Sequence, residues 1–255
     1  VIIIIIMVGL LIGSFLNVCI YRIPREESIV YPSSHCPSCS TSLKPKDLIP
    51  VLSYMVCRGK CCYCREEISP RYPFIELFNS VLYVLLYIQF GLSLQFMAYG
   101  ALASILLAIS MIDYYHQIIP DGMVILIFLI GLVYKAVHML LYDTSFPLLN
   151  SIGGLLMGGG FFLLIAIISN GGMGGGDIKL MGVLGFWLGW KTTLLMMLLS
   201  FLIGGGLSVL LLAFKKKSRK EAVPFGPFIA LAAFITICWQ REILTWYIER
   251  FFNNL

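Results

Sequence analysis

Long apolar runs, each about the length of a membrane-crossing helix, constrain this chain more than any other feature. A helix rising about 1.5 Å per residue needs about 20 mostly apolar residues to cross the hydrocarbon core. Such runs cover residues 1–21, about 74–91, 92–112, 122–142, 148–169 and 179–214, then 222–240. The run 179–214 is too long for one span, and Gly189-Trp190-Lys191 supplies a turn inside it. The expected fold is an all-α polytopic membrane protein with about eight transmembrane helices. Composition agrees: 12% of residues are charged, against about 25% in soluble domains. A chain with 59% hydrophobic residues cannot hide its apolar surface in a soluble fold. A disordered chain, a small disulfide scaffold and an ordinary nucleic-acid binder are excluded. The first run lacks the basic leader and small-residue cleavage site of a signal peptide, and reads as a retained helix.

Charge location sets the orientation. Of 18 Lys and Arg residues, eight fall between Arg22 and Arg71 and five between Lys215 and Lys220. Basic residues collect in cytoplasmic loops, and eight spans put both clusters on one side. The same count brings segments 113–121 and 170–178 to the cytoplasmic face. The basic run 215–220 marks the inside and also suits anionic lipid headgroups. The tail 241–255, with charges among aromatics, suits the interface.

Residues 24–73 form the one soluble-looking stretch, a small cysteine-rich cytoplasmic insert. Its seven prolines, from Pro24 to Pro73, exclude a long helix. About 50 residues need a metal or disulfides to hold a fold. Cys36-Pro-Ser-Cys39 and Cys61-Cys62-Tyr63-Cys64 are two C-x-x-C pairs with 21 residues between them. That spacing suits a structural zinc held by Cys36, Cys39, Cys61 and Cys64; disulfides or free thiols are the alternative. Cys62, Cys57 and His35 are spare ligands in this reading. Cys19 and Cys238, within apolar runs, read as buried inert thiols.

The chain has five aspartates, and three of them sit at span ends, where a carboxylate is costly unless it works or is paired. Asp113 and Asp121 belong to Ile112-Asp113-Tyr-Tyr-His-Gln-Ile-Ile-Pro120-Asp121, and Asp177 to Gly174-Gly175-Gly176-Asp177-Ile-Lys179. Two carboxyls close together share a proton, so one acts as base while the other acts as acid, which suffices to cleave a peptide. The glycine run 171–176 lets backbone approach backbone beside Asp177. Plainer readings stand beside this one. Asp121 after Pro120 suits a helix cap, and Asp177 suits a cap paired with Lys179.

At these residues the sequence resembles the prepilin peptidases, the bifunctional type IV leader peptidase and N-methyltransferase family of GxGD membrane aspartyl proteases. The resemblance runs from Gly13-Ser14-Phe15-Leu16-Asn17 and Tyr21-Arg22-Ile23-Pro24 through both cysteine pairs. It continues with Asp47-x-Ile49-Pro50, Arg58-Gly59-Lys60-Cys61, and Arg71-Tyr72-Pro73-x-x-Glu76. The second half adds Asp113, Ile119-Pro120-Asp121, Gly174-x-Gly176-Asp177-x-Lys179 and Pro224-Phe225-Gly226-Pro227-Phe228. The resemblance implies an enzyme of the bacterial inner (plasma) membrane, multi-pass, with active sites facing the cytoplasm. It implies Asp113 and Asp177 as catalytic residues, supported by Asp121, Gly174, Gly176 and Lys179. Its substrates would be prepilins or pseudopilins, cleaved after the glycine ending a short basic leader. S-adenosylmethionine would then methylate the new N-terminal residue, with Asp47, Arg58, Gly59, Lys60 and Glu76 as methyl-transfer or cofactor-binding candidates. Glu76 could receive the substrate's ammonium, or form a salt bridge with Arg71 or Arg22. The implied division is a first helix at 1–23, a zinc-binding-like insert at 24–73 linked to methyl transfer, and a membrane domain at 74–255. The protease site would occupy about 92–240 of that domain. No nucleic acid is expected. A polytopic transporter is the rival class, since glycines and acids in spans also mark ion pathways; a non-catalytic secretion-machine scaffold is another.

Overall fold

The computed structural model describes residues 1–143, 145, 147–213 and 223–251, and the basic run 215–220 lies outside them. Nine α-helices occur among these residues: α1 Ile2–Arg22, α2 Leu52–Val56, α3 Arg71–Phe90, α4 Leu94–His116, α5 Asp121–Tyr142, α6 Leu148–Ile168, α7 Gly175–Leu188, α8 Trp190–Ala213 and α9 Gly226–Phe251. Seven are long and apolar enough to cross a membrane. The exception among the long runs is α7. The turn expected at Gly189 is present, with φ at +79°, but it leaves α7 only 14 residues, about 21 Å of helix. The eight expected spans are therefore seven full-length helices and one short helix. Exposed apolar side chains such as Leu149 (88%) and Ile168 (80%) form the surface that lipid covers. Prolines keep regular structure in the insert to short 3-10 turns and the five-residue α2. The tail stays helical to Phe251, bending at Trp239, where φ is −129° and ψ 19°.

The chain divides into two compact units, Val1–Ile112 and Asp113–Leu255. In the first, α1 and α3 touch backbone to backbone. Gly9 and Gly13 lie one turn apart on α1, and a Cβ on either would stand 2.6 Å from the Cα of Ser80 or Glu76. Small residues at such spacing drive helix pairing in lipid, where apolar burial supplies no net force between helices. Side-chain hydrogen bonds add to it: Asn79 Nδ2 donates to the Gly9 carbonyl at 2.8 Å and Ser80 Oγ to that of Ile6 at 3.1 Å.

In the second unit α6 meets α7 in the same manner, Gly154 against Gly185 and Gly158 against the Met181 carbonyl. The far end of α7 is tied to α5. Lys135 donates to the Trp187 carbonyl at 3.0 Å, and Trp187 Nε1 donates to the Ile127 carbonyl at 2.8 Å. The lysine satisfies one of the carbonyls that a helix leaves open at its C-terminus. With α7 fixed at that end, its N-terminus and Asp177 have a defined position.

Candidate active site and thiolate cluster

Asp113 lies in the last turn of α4 and is 6% exposed. Its Oδ2 accepts a hydrogen bond from the Gly226 N–H at 2.8 Å. Gly226 opens α9, so the carboxylate occupies the positive end of that helix. A Cβ on Gly226 would stand 2.7 Å from the same oxygen, so the approach requires glycine. Asp177 sits in the first turn of α7, folded back over its own cap: a Cβ on Gly174 would be 2.9 Å from Oδ2. Gly176 allows the start of α7 to pack on Ile119, whose Cβ would be 2.7 Å away from an added Cβ. The two carboxyls lie close enough to interact electrostatically. Asp177 Oδ1 is buried and has no hydrogen-bond partner among the described residues. Two carboxyls within electrostatic reach of each other, one fixed by a backbone donor and the other with an unclaimed oxygen, are equipped to bind and polarise a water or a carbonyl.

Asp121 and Lys179 sit apart from the carboxyl pair in role. Pro120, not Asp121, occupies the cap position of α5, and no side chain caps it. The capping expected of Asp121 is therefore corrected: Pro120 takes the position and leaves the carboxylate free to receive Lys179, at 2.8 and 2.9 Å. Lys179 accordingly pairs with Asp121 rather than with Asp177. The bridge joins the first turn of α5 to the second turn of α7 across open surface, with side-chain exposures of 63% for Asp121 and 56% for Lys179.

The insert folds as two like turns. In each, the first cysteine receives a carbonyl partner for its own N–H (Thr41 at 3.1 Å, Glu66 at 2.7 Å), and its carbonyl takes the N–H four residues on (Ser40 at 2.8 Å, Arg65 at 2.9 Å). Ser40 and Arg65 both adopt positive φ, 55° and 65°, and an antiparallel bridge closes each turn, His35 with Ser42 and Lys60 with Glu67. The result brings the sulfurs of Cys36, Cys39, Cys61 and Cys64 within 4.8 Å of one another. Backbone N–H groups of Cys64 and Tyr63 lower the Cys61 thiol. The spare ligands lie elsewhere: Cys57 and Cys62 are bonded to each other, and His35 Nδ1 lies 3.1 Å from the Ser33 carbonyl.

Beside the cluster, a cavity of about 430 Å³ lies between the insert and the ends of α1 and α3. Asp47, Lys60 and Glu76 line it, whereas Arg58 and Gly59 do not. Gly59 stands behind a wall residue, with φ at +71° and space for a Cβ only 3.0 Å from the Tyr54 hydroxyl. Asp47 accepts from the Tyr63 hydroxyl at 2.7 Å and the Lys44 N–H at 3.0 Å, and the Tyr63 bond holds its carboxyl below the usual range. Glu76 accepts from the Val51 N–H at 2.7 Å. Arg22 spends its two Nη groups on the Ser28 and Pro32 carbonyls, at 2.9 and 2.7 Å.

Comparison with known proteins decides what these sites belong to. Residues 7–90 match the bacterial peptidase A24 N-terminal domain, and residues 100–209 match the type IV leader peptidase family. The prepilin leader peptidase/N-methyltransferase of Pseudomonas aeruginosa is 33% identical over 269 residues, covering 96% of this chain and 92% of that protein. The chain belongs to the type IV leader peptidase family. Proteins of the same name from Stutzerimonas stutzeri, 33% identical over 94% of this chain and 91% of theirs, and from Bacillus subtilis, 34% identical over 94% and 95%, agree. No solved structure matches. The leader peptidase match contains Asp113, Asp121 and Asp177 and the N-terminal match contains the insert, Asn17 and Glu76. Gly226, the donor to Asp113, lies beyond both. In the sequence Gly226 belongs to Pro224-Phe225-Gly226-Pro227, and its signal is a glycine flanked by prolines at the opening of the last span.

Proposed function

We propose that the protein is a membrane aspartyl endopeptidase. It removes the short basic leader of type IV prepilins or pseudopilins after a glycine, at the cytoplasmic face of the membrane, and N-methylates the new N-terminal residue with S-adenosylmethionine. The pairing of Asp113 with Asp177, one carboxyl held by the Gly226 N–H and the other with a buried, unclaimed oxygen, carries the proteolytic reading. The backbone donor stabilises Asp113 as the carboxylate, so Asp113 takes a proton from the attacking water. Asp177 holds the proton shared by the pair and delivers it to the scissile carbonyl oxygen. The C–N bond then breaks with its electron pair on nitrogen, which leaves as the amine after protonation. The Asp121–Lys179 bridge positions the GxGD turn. The eight basic residues between Arg22 and Arg71 support a cytoplasmic face for the insert.

The thiol cluster suits zinc. Tetrahedral Zn–S bonds of about 2.3 Å separate the sulfurs by about 3.8 Å, and Cys36 and Cys64 Sγ lie 3.9 Å apart. Four thiolates leave no open position, so the metal cross-links the two turns. The cavity beside it has a volume typical of small-molecule sites. Even without Glu76, its acids (Glu27, Asp47, Glu66 and Glu67) outnumber Arg22 and Lys60 in a chain of net charge +5, which favours a cationic ligand such as a sulfonium. S-adenosylmethionine supplies the methyl group there; Asp47 and the tyrosines around it bind and orient.

Mass spectrometry of a synthetic prepilin incubated with purified protein and S-adenosylmethionine tests both halves. Leader loss plus one methyl group on the mature N-terminus is expected, with Asp177→Asn abolishing the cleavage. An authentic substrate left intact by the wild type would overturn the reading.

A further inference from the structure

Asn17 sits one turn beyond Gly13 on α1 and is 3% exposed. Its Nδ2 donates to the Gly13 carbonyl at 3.4 Å and to the Tyr72 carbonyl on α3 at 3.1 Å. Both partners only accept, so the NH₂ must face them and the amide orientation is determined. Oδ1 is then turned away from both, and it is buried with no hydrogen-bond partner among the described residues. A buried amide oxygen in that condition calls for a donor from outside the chain.

Glu76 lies one turn along α3 from Tyr72 and is 7% exposed. Its Cα packs against Gly13, which keeps its carboxylate close to the Asn17 strip of α1. One of its oxygens takes the N–H of Val51, a β-branched residue at φ +61°. Such backbone conformations are costly and concentrate at functional sites. Asn17 and Glu76 both line the cavity. That end of it therefore offers an amide oxygen and a carboxylate, both acceptors, and the ligand group that complements them is a cation carrying N–H bonds.

We infer that Asn17 Oδ1 and Glu76 form the subsite for the methyl-accepting α-ammonium of the cleaved substrate. The inference rests on the methyl-transfer reading of the cavity. Two ammonium groups share that chemistry, the peptide's own and that of the methyl donor. Depth favours the peptide. Both residues lie a little over one turn inside the ends of membrane-length helices, about 7 Å in, at the level reached by the N-terminus of a peptide whose apolar stem lies in lipid. The nucleoside occupies the wetter part of the cavity under the insert. In the transfer, the bound ammonium first gives one proton to the Glu76 carboxylate; the lone pair freed on nitrogen takes the methyl carbon, and the C–S bond breaks with its electron pair on sulfur.

The test uses the full-length protein in detergent with three readouts: methylation of a pre-cleaved peptide beginning with Phe, equilibrium dialysis of labelled S-adenosylmethionine, and leader cleavage. Glu76→Gln keeps an acceptor for Val51 but loses the charge; it should raise KM for the peptide about 10- to 100-fold, the range for a hydrogen bond to a charged group. Cofactor affinity and leader cleavage should stay at wild-type values. Asn17→Leu should raise the same KM about tenfold. Asn17→Asp keeps an acceptor and loses the tether to Tyr72, so KM close to wild type supports ammonium binding over a structural role. A free-amine peptide should compete in the wild type and its N-acetylated form should not. Weakened cofactor binding with unchanged peptide KM would place the donor's ammonium here and overturn the inference. Unchanged KM in all three variants would overturn it too. A wild type that binds no S-adenosylmethionine would overturn the methyl-transfer reading itself, and the inference with it.

Discussion

Gly226→Ala separates the grip on Asp113 from the carboxyl itself. The added methyl would stand 2.7 Å from Asp113 Oδ2 and 3.2 Å from its Cβ and Cγ, so the side chain must move or α9 must retreat. Either movement breaks the 2.8 Å hydrogen bond from the Gly226 N–H. Hydrogen bonds to charged groups contribute about 1.5–3 kcal/mol, which converts to about 10- to 150-fold in rate if the bond is made to the reactive carboxylate. Alanine is a better helix former than glycine, so the change removes no intrinsic helix stability. The assay is steady-state cleavage of a synthetic prepilin in detergent, with methylation of a pre-cleaved peptide on the same samples as the control for folding. The expected result is kcat lowered by the stated factor, methyl transfer unchanged, and a rate still above that of Asp113→Asn. Cleavage within about threefold of wild type would refute the argument that a backbone donor from α9 keeps Asp113 ionised for catalysis.

Replacing either carboxyl outright, by Asp113→Asn or Asp177→Asn, should lower leader cleavage at least about 10²- to 10⁴-fold, the range of general acid–base contributions, measured by the same assay. Metal analysis of the purified protein should find one zinc per chain, lost from Cys61→Ser; methyl transfer should fall with it while leader cleavage persists. Gly59→Ala forces a side chain into φ +71° against the Tyr54 hydroxyl, a backbone cost of about 1–2 kcal/mol, and should depress methylation without touching cleavage. Lys179→Met removes an ion pair whose side chains are 56% and 63% exposed. Such pairs contribute about 0.2–1 kcal/mol, so cleavage should fall less than about fivefold, and a double-mutant cycle with Asp121→Asn should show a coupling of that size.

The apolar runs were legible because lipid imposes a length and a composition on every span, and the break at Gly189 could be read from a glycine two residues before a lysine. The shortness of α7 was harder to see, since a 14-residue helix and the end of a longer one have the same hydropathy. The two cysteine pairs declared themselves by spacing, and their fold follows locally from one turn made twice. Asp121 was misread because a polar residue after proline at a helix start looks like a cap; its partner Lys179 is distant in sequence, and only packing brings α5 and α7 together. Gly226 and Asn17 were silent for a related reason. The first contributes a backbone N–H and the absence of a Cβ, the second an oxygen left over after its NH₂ is spent on carbonyls. The residue type shows neither which carboxylate that N–H meets nor which amide oxygen is left over.

Asp113 and Glu76 show why such silent features recur. A carboxylate among apolar helices loses its hydration and needs donors in return. Side-chain donors there would themselves have to be buried, and basic ones would neutralise the group whose charge is wanted. A backbone N–H avoids both problems, and each carboxylate has one: Gly226 for Asp113 and Val51 for Glu76. A glycine gives each room, Gly226 beside the first carboxyl and Gly13 beside the backbone of the second. The Ser14 hydroxyl adds a second hydrogen bond at Glu76, yet neither carboxylate has donors for all of its roughly four acceptor positions. What remains is capacity for a water at Asp113 and for an ammonium at Glu76. Adding a cationic donor to either would make it a better-solvated group and a poorer reagent. A lysine placed at Ser14, the Glu76 neighbour on α1, should therefore stabilise the α1–α3 pair yet abolish methyl transfer. If Ser14→Lys instead left methylation at the wild-type rate, partial satisfaction of the carboxylate would not be what the reaction uses.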